Sequence, residues 1–173
     1  GTMGGGIAMS FANAGIPVRV LEVSREALDK GMHTIRTNYE STVSKGNLSQ
    51  ADMDERMRLI TTTLDYDDLG EADLVIEAVF EDLEVMRSVF SSLAATCRPD
   101  TLLATNTSSF RVGDLAESCA QPERLLGLHY FYHPAMNRLV EVVGHAGTDP
   151  SALEAAWAAQ EAIGKTPIHS EDA

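Results

Sequence analysis

The chain has 173 residues, 44% of them hydrophobic, and carries 13 basic against 26 acidic side chains, a net charge of −13. That apolar content is enough to bury the core of one domain and excludes a disordered chain, while the acidic balance argues against nucleic acid or an anionic membrane as the main partner. No apolar run is long enough to span a bilayer, and the two cysteines, Cys97 and Cys119, show no metal-ligand spacing; they read as ordinary thiols of a reducing, cytoplasmic compartment, and no metal site is expected.

The first stretch, GTMGGGIAMSFANAGIPVRVLE, organises the rest. Gly1, Gly4, Gly5 and Gly6 open it, and Ile7, Ala8, Phe11, Ala12 and Ala14 follow at helical spacing. Gly15 stops this helix and Pro17 blocks its return. Val18, Val20 and Leu21 then form a short buried strand ending at Glu22. Glycine turn, helix, strand and carboxylate stand in the order of a dinucleotide site. Glycines admit the backbone to a pyrophosphate, helix N–H groups hold it, and the carboxylate accepts bonds from ribose hydroxyls. Gly1, Thr2, Met3, Gly4 and Glu22 are therefore candidate cofactor contacts. Gly1 corresponds to the second glycine of G-x-G-x-x-G and Gly4 to the third. The first glycine and its strand are expected upstream of residue 1, so the sheet is expected to lack its first strand, with an apolar slot between two open edges. The other reading is a glycine-rich helix start packed tightly on a sheet.

Ser24 caps a helix whose apolar positions are Leu28, Met32, Ile35, Tyr39 and Val43. Lys45-Gly46-Asn47-Leu48 breaks it, and Ser49 starts a second helix with Met53 and Met57 on one face. This helix–turn–helix is longer than a plain crossover requires. Arg36, Lys45, Arg56 and Arg58 fit a solvated polar face. Residues 60–64 and 74–79 read as strands and 83–95 as a helix; 102–105 is a strand running into Asn106-Thr107-Ser108-Ser109. A short helix is expected over 112–118, then strands over 125–131 and 139–143 joined by a tight loop holding Pro134. Asp149-Pro150 opens a helix carrying Trp157, a core residue by its position, and Thr166–Ser170 forms a last strand. The alternation predicts an α/β fold of Rossmann type: a doubly wound, mainly parallel sheet with a helix–turn–helix excursion. Ligands of such sheets lie beyond the carboxyl ends of the strands. Glu22, the Val79–Glu81 turn, Asn106–Ser109 and His129 all fall at that edge.

His129 and Glu141 each lie six residues from Ala135. Two antiparallel strands folded about that centre would set them face to face. A carboxylate beside an imidazole fixes its tautomer and stabilises its protonated form. The spacing alone favours a structural pair over the acid/base dyad that alcohol oxidation needs.

The segments GTMGGGIA, IEAVFEDLEV, TNTSSF and GLHYFYHPAMNRLVEVV, in this order and spacing, resemble the nucleotide-binding domain of the 3-hydroxyacyl-CoA dehydrogenase family over residues 1 to about 170. The resemblance implies NAD-dependent oxidation of a (3S)-3-hydroxyacyl-CoA to the 3-oxoacyl-CoA, as in fatty-acid β-oxidation. It implies His129 as the acid/base, Glu141 as its orienting partner, Ser108 near the substrate oxygen and nicotinamide, and Asn106 shaping that pocket. Ala78 and Glu81 would line the cofactor path. Lys45 matches a lysine used toward coenzyme A, and Tyr132 falls among the substrate contacts. The chain departs from the family at Tyr132, where an asparagine is common, with His133 following, and at Met86, where a lysine is common, with Arg87 beside it. His33, His145 and His169 read as surface or packing residues. Family members continue past the GKTP-like stretch into an all-helical domain that closes the cleft and makes a homodimer. On the resemblance, residues 1–173 are one domain of such an enzyme. Two other readings are a non-catalytic relative of crystallin type and a β-hydroxy-acid dehydrogenase using a lysine as its acid/base. No lysine lies in a matching helix for the latter. Glu22 favours NAD over NADP because it would repel a 2′-phosphate.

Overall fold

The computed structural model describes residues 1–173, in which six helices and seven strands alternate. Helix α1 (Thr2–Asn13) starts at the glycines, and Gly15, at φ +79°, turns the chain into β1 (Val18–Leu21). Helices α2 (Arg25–Ser44) and α3 (Gln50–Leu59) form the excursion before β2 (Ile60–Thr63). Their serine caps form as the sequence predicts: Ser24 Oγ accepts from the Ala27 N–H at 3.1 Å and Ser49 Oγ from the Asp52 N–H at 3.0 Å. The chain continues through β3 (Leu74–Glu77), α4 (Leu83–Thr96), β4 (Leu102–Thr105), α5 (Val112–Ala116), β5 (Leu125–Tyr130), β6 (Leu139–Gly144), α6 (Pro150–Ala162) and β7 (Thr166–Glu171). None of the helices is long and apolar enough to cross a membrane.

The strands make a parallel pair, β1 with β2, and a five-stranded sheet in the order β3-β4-β5-β6-β7. Only the β5–β6 pair is antiparallel. The doubly wound architecture holds, and the sheet is interrupted between β1 and β3. Helix α1 spans the interruption: Ile7 packs with the five-stranded sheet and α6, while Met9 and Ala12 pack with α2 and α3.

Alternation along the strands sorts side chains onto two faces. Leu102, Ala104, Leu126, Leu128, Tyr130, Val140 and Val142 face α1 and α6. Leu103 and Leu125 face α4 and α5. By the same parity His129 and Glu141 lie on the α4–α5 side. There Gly127 permits a close approach: a Cβ at that position would fall 3.0 Å from Val143 Cβ and 3.1 Å from Val112 Cγ2, so α5 sits directly against β5.

Two expectations are corrected. Strand β3 ends at Glu77 instead of Val79, because the Glu77 carboxylate accepts the Val79 N–H at 2.7 Å and turns the chain out of the sheet. The connection from β5 to β6 is not tight. It runs over residues 131–138, and Pro134 O inside it accepts from Ser10 Oγ at 2.9 Å and from the buried Lys165 Nζ, which also donates to Asn137 O at 2.6 Å.

Candidate active site

The carboxyl ends of β3, β4 and β5 surround a cleft of about 380 Å³ lined by Met3, Ala78, Glu81, Asn106, Ser108, His129 and Tyr132, among others. The strands that build it also set its chemistry. Residue 129 stands opposite residue 141 in the antiparallel ladder. His129 Nδ1 lies 2.7 Å from Glu141 Oε2. Hydrogen bonding from His129, and next from the Ser170 hydroxyl, holds the Glu141 carboxyl below the usual carboxylate range. Glu141 is therefore ionised near neutral pH and can only accept. With the proton of that bond on Nδ1, a neutral ring leaves its other nitrogen, Nε2, free to accept a hydrogen bond.

The loop after β4 supplies the second half. Asn106 Oδ1 accepts the Tyr130 N–H at 2.9 Å, and the Asn106 N–H donates to Glu77 O at 2.9 Å, tying the loop to the strands on both sides. Glu81 then gathers the following residues. It accepts from Thr107 Oγ1 at 3.0 Å, from the Ser108 N–H at 3.0 Å and from the Ser109 hydroxyl. Those bonds, Ser109's first, draw its carboxyl below the usual range. Glu81 is thus the tether of the Ser108 loop, and it lines the cleft as well.

Glu77, inside the IEAVFED segment, also lines the cleft, which the sequence alone does not reveal. A lone charge within the apolar LVIEAV run was the available signal. It is 4% exposed, accepts from Thr105 Oγ1 at 2.7 Å and forms part of the cleft wall. Burial raises its pKa despite the bonds from Thr105 and Val79.

The remaining predicted residues divide. Gly1 to Gly4 form the first turn of α1, whose leading N–H groups have no intrahelical acceptor. Glu22 follows the last residue of β1, and its Oε1 lies 3.0 Å from the terminal ammonium of Gly1. A Cβ at Gly4 would be in van der Waals contact with Ala78 Cβ at 3.8 Å, so the first turn of α1 lies close beside the end of β3. Bare N–H groups at a helix start and a carboxylate at the end of the neighbouring strand fit NAD. Tyr132 is 75% exposed at the cleft mouth. Lys45 caps the C-terminus of α2, outside the cleft lining. Met86 is buried at the cleft floor. His133 Nδ1 accepts the Ala135 N–H at 3.2 Å; His145 bonds Pro122 O at 2.8 Å, and His169 stacks on Trp157 at 4.6 Å.

Such a sheet, with a histidine–glutamate pair and a glycine-rich helix start at one edge, has the form of a dehydrogenase's nucleotide-binding domain. Comparison with known proteins narrows the class. The family model for the 3-hydroxyacyl-CoA dehydrogenase NAD binding domain matches residues 1–173, and the chain belongs to that family. It is 38% identical over 173 residues to a fatty acid oxidation complex subunit alpha of Shewanella baltica, covering 99% of this chain and 24% of that one. The chain thus spans about a quarter of the length of the curated relatives it matches. The crystal structure of FadB2 from M. tuberculosis superposes with a TM-score of 0.98 at 36% identity, over 100% of this chain and 61% of that one. That of 3-hydroxybutyryl-CoA dehydrogenase from Escherichia coli K12 gives 0.95 at 38% identity, over 99% and 36%.

Proposed function

We propose that this domain forms the nucleotide-binding half of an enzyme that oxidises a (3S)-3-hydroxyacyl-CoA to the 3-oxoacyl-CoA with NAD. The observation that carries the reading is His129, on the wall of the cleft that Ser108 and Asn106 share, with its Nδ1 2.7 Å from Glu141 Oε2. Bound NAD supplies the hydride acceptor. His129 Nε2 takes the hydroxyl proton as the substrate's C3–H bond gives up its hydride, and the new carbonyl forms from the O–H electron pair. Glu141 stabilises the resulting imidazolium and fixes the ring. The Ser108 hydroxyl, on a loop held by Glu81, donates toward the substrate oxygen, and Asn106 holds that loop against β5. Glu22 takes the adenosine ribose, and the first turn of α1 takes the pyrophosphate. Acyl-CoA is the substrate. The full-length protein is a cytoplasmic homodimer joined through a helical domain; the greater length of the relatives supports the further domain.

The test is His129→Gln in the full-length enzyme, assayed by NADH oxidation with acetoacetyl-CoA. Loss of a placed proton-transfer group should cost about 10²–10⁴-fold in kcat. NADH binding, followed by calorimetry, should persist. A folded variant with wild-type kcat would refute the assignment.

A further inference from the structure

Glu141 has a second partner from outside the β5–β6 hairpin. The Ser170 hydroxyl donates to Glu141 Oε1 at 3.0 Å, while His129 occupies Oε2 at 2.7 Å. The bond comes from β7, 29 residues away, through the parallel β6–β7 ladder. In that ladder Glu141 stands opposite Ile168 and Val143 opposite Ser170, so Ser170 is the same-face diagonal neighbour of Glu141. The register is locked from beyond the strand's end. Asp172 Oδ1 accepts the Val112 N–H at 2.6 Å and Oδ2 the Gly113 N–H at 2.9 Å, pinning the end of β7 to the start of α5.

We propose that Ser170 is a positioning residue for the acid/base pair: it holds the Glu141 carboxylate in the rotation that presents Oε2 to His129 Nδ1. The inference rests on the reading of His129 as the proton-transfer group. A carboxylate gripped at one oxygen can turn about its last torsion; gripped at both, from strands on opposite sides of β6, it cannot. With that rotation lost, the imidazole loses its fixed tautomer for part of the time, and Nε2 its aim. The Glu141 side chain is 27% exposed, so water can take the place of the serine hydroxyl, and the effect is partial.

The experiment compares Ser170→Ala, Ser170→Thr and His129→Gln in the full-length enzyme. Ser170→Ala should lower kcat about 3–10-fold, as expected for one hydrogen bond. KM for NADH and for acetoacetyl-CoA should stay within about twofold, since kcat alone reads the proton step. Ser170→Thr, which keeps a hydroxyl and suits a strand, should restore kcat. Wild-type kcat per folded Ser170→Ala molecule alongside an inactive His129→Gln enzyme overturns this inference and leaves the assigned function standing. An active His129→Gln enzyme overturns both. Ser170→Thr as slow as Ser170→Ala also overturns the role given to the hydroxyl.

Discussion

The approach of α1 to the β5–β6 loop can be tested by a single methyl group. A Cβ added at Gly6 would lie 2.8 Å from Pro134 Cδ, 3.1 Å from Pro134 Cγ and 3.2 Å from His133 Cε1. The proline ring cannot rotate away. Its residue cannot retreat either, because Pro134 O is held by Ser10 Oγ and Lys165 Nζ. Two effects of Gly6→Ala oppose each other. Replacing glycine inside a helix gains about 1 kcal/mol. Forcing a methyl into a packed contact costs about 1–3 kcal/mol. The clash should match or outweigh the gain, so Gly6→Ala should be neutral to destabilising by about 2 kcal/mol.

Gly31, within α2, is the control, because a Cβ there meets nothing within 4 Å. Gly31→Ala should take the full propensity gain of about 1 kcal/mol. The difference between the two variants isolates the contact with Pro134 at about 1–3 kcal/mol. For a domain of this size that is about 2–12 °C in melting temperature, with Gly31→Ala the higher. Thermal and urea melts of both variants beside the wild type measure it. A Gly6→Ala protein as stable as Gly31→Ala would refute the claim that α1 and the loop are fitted this closely.

Two further predictions concern carboxylates. Glu22 should make NADH bind more tightly than NADPH by at least about tenfold, since two like charges 4 Å apart near a protein surface repel by about 4 kcal/mol; calorimetry on the full-length enzyme reads this directly, and equal affinities would remove Glu22 from the ribose site. Glu77 titrates in the opposite sense to Glu81 and Glu141, because burial raises its folded pKa. The native state then binds more protons than the unfolded chain in the window between the ordinary carboxylate pKa and the raised one. Glu77's contribution to stability is full below that window and falls as pH rises through it. Glu77→Gln should remove this fall, so wild type and variant melts should diverge in slope across the window; parallel pH dependences would show that Glu77 does not titrate there.

Local signals made most elements legible. Capping serines, glycine stops and the Asp149-Pro150 start are short-range devices, and the structure uses each of them. The opposition of His129 and Glu141 was legible too, because a hairpin's register follows from symmetry about its centre. What was not legible depends on registers that no local signal sets. Ser170 reaches Glu141 only because β7 runs parallel to β6, and the spacing of parallel neighbours leaves no trace in sequence. The length of the 131–138 loop is not legible either: Pro134 suggests a tight turn, whereas its partners, Ser10 and Lys165, lie far away in the chain. Glu77 was passed over as one letter of a motif, since only the folded sheet shows that its carboxylate is buried at the cleft wall.

The register that aligns His129 with Glu141 is enforced by the opposite face of the same strands. Val140 and Val142 flank Glu141 and are fully buried against Leu126, Leu128, Ala152 and Ala156. A slip of β6 by one residue would turn every side chain over. Val140 or Val142 would then face His129, and Glu141 would enter the apolar cluster beneath α6. Exposing two valines costs about 1.5–3 kcal/mol each, and an unpaired carboxylate among apolar side chains costs several kcal/mol more. Marginal domains are stable by only about 5–15 kcal/mol in total. The slipped register would therefore consume most or all of the fold's stability. The core thus specifies the His129–Glu141 pair without touching it: the packing of α6 on one face of β6 decides what the other face presents. The alignment of His129 with Glu141 is secured by buried valines on the far side of the sheet, and Ser170 and Asn106 need only fix side-chain rotation and loop position within a frame already set.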